Sequence, residues 1–167
     1  DLVSAFVARF GPALTAPGVA MKELKKLHPQ YMGNKSHDEK FRPFYYGGRV
    51  ECFETGVIHG AFKVFDVNSM YPHAMREFDH PLGTKYVYKS EPKLTRDGWI
   101  DRFPNCLYFA IVEGRNYGAL PIRSEVSNGG LSFNADSGAF AVCSHELRAA
   151  ISLGLFKPSR IVSAYIA

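Results

Sequence analysis

Cysteine is scarce in this chain, and the few residues present do not pair. Cys52, Cys106 and Cys143 make an odd count with no paired spacing. That argues against a disulfide framework and reads as reduced core thiols in a cytosolic setting. Cys143 and His145 suggest half of a metal site, but no second pair completes a structural zinc centre. His28, His37 and His59 fall into no pattern. No apolar run is long enough to span a bilayer and no segment reads as a signal peptide, so no membrane partner is expected. Internal repeats and low-complexity tracts are missing too. Tryptophan occurs once, against 13 Phe and 9 Tyr.

What is present is the composition of a packed domain. The 167 residues are 46% hydrophobic, enough to bury one sizeable core and too apolar for disorder. Aromatics at 14% suit both β-rich packing and base stacking. The net charge of +4 is too mild to argue for nucleic acid by itself. Its distribution is uneven. Residues 1–40 carry six basic and four acidic side chains, residues 41–80 four and five, and residues 81–167 ten and seven. The negative window surrounds Asp66, as a cation site needs, between flanks suited to a phosphate backbone. Scatter in small counts would give the same pattern.

Residues 65–76, Phe-Asp-Val-Asn-Ser-Met-Tyr-Pro-His-Ala-Met-Arg, concentrate the chemistry. The apolar run over residues 61–65 predicts a buried strand that ends at Asp66. Asn68 and Ser69 break it, and residues 70–78 read as a helix with Pro72 in its first turn. A strand that delivers a carboxylate to its own end, followed by a tight turn and a helix, can hold a divalent cation. Exposed amides at the helix start can meet a phosphate. The plainer reading is an Asp that caps the next helix, with Tyr71 as core. His73, Asp79 and His80 are expected to face solvent, because imidazole suits Mg²⁺ poorly. Upstream, Gly47-Gly48 allows close backbone approach, Tyr45 and Tyr46 offer flat faces for bases, and Arg42 and Arg49 offer phosphate charge. A β-bulge with flanking aromatic core explains the same residues.

Elsewhere the pattern predicts helices over 2–10 and 17–27, the second capped by Thr15, then a polar, mobile stretch over 30–40. Strands over 44–53 and 57–67 would form a hairpin about Gly56 in a left-handed conformation. Short strands follow over 85–89, 106–112, 119–122, 131–133 and 140–143. A helix capped by Ser144 then ends at Gly154, before a last strand over 159–167. Mostly antiparallel strands with few helices give an α+β fold.

Residues 66–72 resemble motif A of the family B DNA polymerases, Asp-x-x-Ser-Leu-Tyr-Pro. Met70 stands where Leu is usual, one soft apolar side chain for another. Residues 44–51 resemble the Tyr-x-Gly-Gly motif of the protein-primed branch, which serves phages, linear plasmids and related mobile elements. Residues 14–22 resemble the segment after that branch's last exonuclease motif. Residues 118–123, 130–133, 137–140 and 144–147 resemble, in order, its insertion after motif A, called terminal protein region one.

The resemblance implies three parts: 1–40, the helical tail of an exonuclease domain and a linker; 41–80, the first palm segment; and 81–167, a small inserted α/β subdomain. It implies a magnesium- or manganese-dependent DNA-directed DNA polymerase using two ions. Asp66 and the Val67 carbonyl would bind metal, Ser69 and the Met70 amide would face the triphosphate, and Tyr71 would stack under the deoxyribose. Tyr45, Tyr46, Gly47, Gly48 and Arg49 would contact DNA. The insertion would hold the primer-side duplex and a terminal protein that primes synthesis. Template, primer, dNTP and the remainder of a polymerase chain are the implied partners, in the cytoplasm of a host cell. Two-metal phosphoryl transfer needs a second carboxylate. The family's Asp-Thr-Asp hairpin, its fingers Lys and its exonuclease carboxylates do not occur here. The expectation is therefore a central fragment, inactive alone. The competing reading is a standalone, non-catalytic DNA- or protein-binding module.

Overall fold

The structure is a computed structural model that describes residues 2–11, 16–27, 29, 39–52, 54–77, 85–123 and 130–167. It divides into two compact units, Asp1–Lys40 and Phe41–Ala167.

The first unit contains α1 (Leu2–Phe10) and α2 (Ala16–Leu27). Gly11, at φ 73°, ends α1 in the left-handed region and donates its N–H to the Val7 carbonyl at 2.8 Å. Lys25 and Lys26 sit in the last turn of α2, where cations oppose the helix dipole, and Lys26 pairs with Glu23 at 2.8 Å. The predicted Thr15 cap and the polar stretch over 30–38 lie outside the described residues.

The second unit is built on an antiparallel sheet with strand order β1-β6-β2-β5. Its strands are β1 (Val87–Ser90), β2 (Tyr108–Asn116), β5 (Ser137–Cys143) and β6 (Phe156–Ile166). A separate ribbon pairs β3 (Ile122–Arg123) with β4 (Leu131–Ser132). The alternation of β2 buries Tyr108, Ala110 and Val112 on one face. There they form one core with Phe140, Val142, Phe156, Ile161 and Ile100, and with Leu147 and Ala150 of a helix over residues 144–152. On the other face Phe109 and its register partner Tyr165 lie under Phe41, which is 5.2 and 5.4 Å from their ring centroids, and Phe44 adds a second ring. This is the expected α+β class.

Two irregularities shape β2 and β6. The register shifts at Ile111/Val112 and again at Glu113/Gly114. At the second shift Ser159 donates its hydroxyl to the Glu113 carbonyl at 3.0 Å, and Pro158 lies where β6 has no β1 partner. Gly114 is obligatory there: a Cβ would lie 2.4 Å from the Lys157 carbonyl oxygen and 2.7 Å from the Phe156 ring. Asn116 ends β2 fully buried and fully bonded. Its amide donates to the carbonyls of Leu120 (2.9 Å) and Ala135 (3.0 Å), and its oxygen accepts the N–H groups of Ala119 and Leu120, both at 3.1 Å. One side chain thereby fixes the turn that leads to β3.

Several expectations change. Residues 57–67 form no strand and no hairpin; they are irregular, with a bend at Gly60, and exposed, with Val64 at 86%. Among the described residues no strand lies beside them, so the apolar run has no ladder to join. Gly56 does take a positive φ, 108°. Residues 44–50 are likewise irregular after a short 3₁₀ turn, Arg42–Phe44. The helix expected over 70–78 is α3 (Met70–Glu77). The last helix, α4 (Ser144–Ser152), is capped by Cys143 and not by Ser144: Cys143 N–H donates to Glu146 Oε2 at 3.1 Å, and the Cys143 side chain meets the N3 amide. Of the three thiols only Cys106 and Cys143 are part-buried; Cys52 is exposed.

Candidate functional site

The candidate site begins with the turn before α3. Ser69 takes φ 52°, in the left-handed region that side chains enter at a cost of about 1–3 kcal/mol. Its carbonyl accepts the His73 N–H at 2.9 Å, so the strained residue closes the first turn of the helix. Asp66, Val67, Ser69, Met70 and Tyr71 are all exposed. Tyr71 was open to a core reading; it is 64% exposed, so the ring is not packed away. Its hydroxyl reaches the glycine pair, lying 3.7 Å from where a Cβ on Gly48 would sit. The two motifs therefore meet at Tyr71 and Gly48, residues more than twenty positions apart in the sequence.

The glycine segment is fastened to the sheet side of the unit by two arginines. Arg49 donates to Glu51 from Nε at 2.6 Å and again from Nη2, and Nη1 donates to the Gly118 carbonyl at 2.9 Å. Its guanidinium also lies 4.2 Å from the Phe133 ring centroid. Arg123 Nη2 donates to the Tyr45 carbonyl at 2.7 Å, and its guanidinium lies 5.2 Å over the Tyr46 ring. Tyr45 presents its ring to solvent. Tyr46 is half-buried: desolvation raises its pKa against the lowering effect of Arg123, and Glu146 adds to the rise. Gly47 has open space where a Cβ would be.

Arg49 is thus a bonded strut whose charge Glu51 largely offsets. Arg123, Gly118 and Phe133 belong to the same assembly; in the sequence they lie in the segments that resemble the insertion, without an individual role. Their contacts close over 69–78 residues of intervening chain for the two arginine bonds, a distance no local pattern reveals. His73 is exposed, as expected, whereas Asp79 and His80 lie outside the described residues. Among the described residues no three His, Cys, Asp or Glu side chains gather as a metal site. No helix among them is long and apolar enough to cross a membrane.

The sequence matches the family of DNA polymerase type B, organellar and viral, over residues 6–166. The chain belongs to this family. It is also 46% identical over 161 residues to the DNA-directed DNA polymerase of Enterobacteria phage PRD1, an alignment that covers 96% of this chain. The chain spans 27% of that relative's length. No solved structure matches it. In this chain the turn before α3 and the glycine segment approach each other through Tyr71 and Gly48.

Proposed function

We propose that this chain is the central part of a DNA-directed DNA polymerase, in which Asp66 helps to hold the catalytic cations and Tyr71 selects the sugar. Residues 1–40 would be the tail of the exonuclease domain, 41–80 the first palm segment and 81–167 the insertion that holds the primer-side duplex and a terminal protein. The observation that carries the reading is the approach of Tyr71 to Gly48, which sets the sugar-sensing ring beside the template segment.

The donor chemistry fits the cations. The Asp66 carboxylate and the Val67 carbonyl are hard oxygen ligands of the kind Mg²⁺ and Mn²⁺ take. In this reading they are part of a set that waters, the triphosphate and a second carboxylate complete. When bound, two such ions stabilise the attacking and leaving oxygens of an in-line displacement. The chain's own residues position the substrate. Ser69 and the Met70 amide, at the start of α3, face the triphosphate, where backbone N–H groups and the helix dipole favour an anion. Tyr71 lies flat under the deoxyribose and excludes a 2′-hydroxyl by volume. Tyr45 and Tyr46 stack template bases, and Gly47 and Gly48 let the strand approach the backbone. In this reading the isolated chain does not polymerise, and the whole enzyme works in the cytoplasm of its host.

Asp66→Ala in the full-length polymerase tests the reading. Nucleotide incorporation is expected to be abolished while exonuclease activity stays largely intact, because several kcal/mol of transition-state stabilisation are lost at one site only. Incorporation near the parent rate refutes the assignment.

A further inference from the structure

Arg115 and Lys157 face each other directly on β2 and β6, at the end of the sheet remote from the Phe41 cluster. Opposed like charges destabilise an antiparallel pair. The neighbouring pair, Glu113 opposite Arg160, is the complementary kind: Arg160 Nε donates to Glu113 at 2.7 Å, and that bond holds the Glu113 carboxyl below its usual range. Arg115 and Lys157 have no such relief. Among the described residues neither has a carboxylate within ion-pair distance, although Asp136 lines the same surface. Both lie instead over the exposed ring of Tyr117, whose centroid is 5.5 Å from the Arg115 guanidinium and 5.7 Å from Lys157 Nζ. Beside them opens a shallow cleft of about 670 Å³, lined by the small residues Gly114, Ser137, Gly138 and Ser159 and by Glu113, whose carboxylate Arg160 holds.

We propose that Arg115, Tyr117 and Lys157 form a second binding site for single-stranded nucleic acid, separate from the Tyr45–Gly48 segment. Two cations without a carboxylate partner suit successive phosphates, and the exposed ring of Tyr117 beside them suits a base. The small lining residues let a backbone lie close to the sheet. A free anion or an acidic peptide would satisfy the cations but would not need the ring. The proposal rests on the reading of the chain as part of a DNA-handling enzyme.

The test is fluorescence anisotropy of a labelled oligothymidylate with the 167-residue chain across a range of salt. Arg115→Gln with Lys157→Gln is expected to lower the slope of log affinity against log salt by about 0.7 per cation, roughly 1.4 together. Tyr117→Ala is expected to weaken binding about tenfold with the slope unchanged. Tyr45→Ala serves as the separate arm. Dependence on Tyr45 but not on the three residues overturns this site and leaves the template reading standing. The reverse pattern supports this site and removes the template role of Tyr45. Competition by polyglutamate as strong as by oligothymidylate, with Tyr117→Ala silent, overturns the nucleic-acid assignment in favour of an acidic protein surface. Absence of binding at low salt overturns the site, while the role of Asp66 still stands or falls on its incorporation assay.

Discussion

Replacing Gly114 by Ala tests the central claim about how β2 and β6 fit together. The new Cβ would sit 2.4 Å from the Lys157 carbonyl oxygen, 2.7 Å from Phe156 Cζ and 2.9 Å from Pro158 Cα. A carbon–oxygen contact relaxes near about 3.3 Å, so the two strands must part by roughly 0.9 Å. Little can give way. Phe156 is buried against Phe140 at 5.5 Å between ring centroids, and Pro158 has a fixed φ. Overpacking costs about 1–3 kcal/mol, and losing a ladder bond or two beside the bulge adds about 1 kcal/mol each. The expected loss is about 3 kcal/mol, which for a chain of this size lowers Tm by roughly 6–12 °C. Thermal unfolding followed by circular dichroism, with urea denaturation to check that the m-value is unchanged, measures it. A fall of less than about 2 °C would refute the close approach and with it the register at the second bulge.

Gly47 makes the opposite prediction. Open space surrounds it, so Gly47→Ala is expected to leave Tm unchanged or raise it slightly, and yet to weaken template binding, measured by titrating primer-template onto the full-length polymerase. Tyr71→Val in that enzyme is expected to raise ribonucleotide use relative to deoxyribonucleotide, read as the ratio of kcat/KM values; an unchanged ratio removes the sugar-gate role. Burial and the neighbouring Glu146 push the Cys143 thiol up to about 11, so the thiolate needed for alkylation is nearly absent until the pH approaches that value. Iodoacetamide at pH 8 should therefore label exposed Cys52 and spare Cys143, as mass spectrometry of the peptides would show.

The sheet was legible because its strands carry their own signal. Val, Ile, Phe and Tyr are concentrated in β2 and in the second half of β6, and Gly138 and Gly154 mark the start of β5 and the exit from α4. The helix boundaries of the first unit followed from apolar spacing in the same way. The cap of α4 lies one residue before the expected Ser144, because Ser is the commoner cap while here the Cys143 side chain meets the N3 amide. The stretch over 57–67 has as strong a strand signal as β2, but a strand is a property of two segments, and its sequence says nothing about whether a neighbour is present. Asn116 escaped notice for a related reason. Its four bonds are made to groups on two separate stretches, Ala119–Leu120 and Ala135, and only the closed turn makes a buried amide cheaper than an apolar side chain. The Arg49 and Arg123 struts share that character. Asp66, Ser69 and Tyr71 stood out from the start because their spacing is local.

The uncovered run at 57–67 has a consequence for the life of the polypeptide before any DNA is met. Val57, Ile58, Phe62, Val64 and Phe65 stand open to water along an irregular backbone, with Lys63 the one formal charge from Val57 to Phe65 and no proline among them. Such a segment is adhesive. Any extended peptide can hydrogen-bond to it, including the same segment of another molecule, and its apolar side chains then reward stacking. Lys63 acts as a gatekeeper, since stacked copies in register would bring like charges together. During synthesis this stretch precedes β2 by about forty residues and β6 by about ninety, so it must wait, exposed, while their long-range pairing is made. The segment that delivers Asp66 is therefore also where chaperone binding during synthesis and self-association of the purified chain are expected to begin.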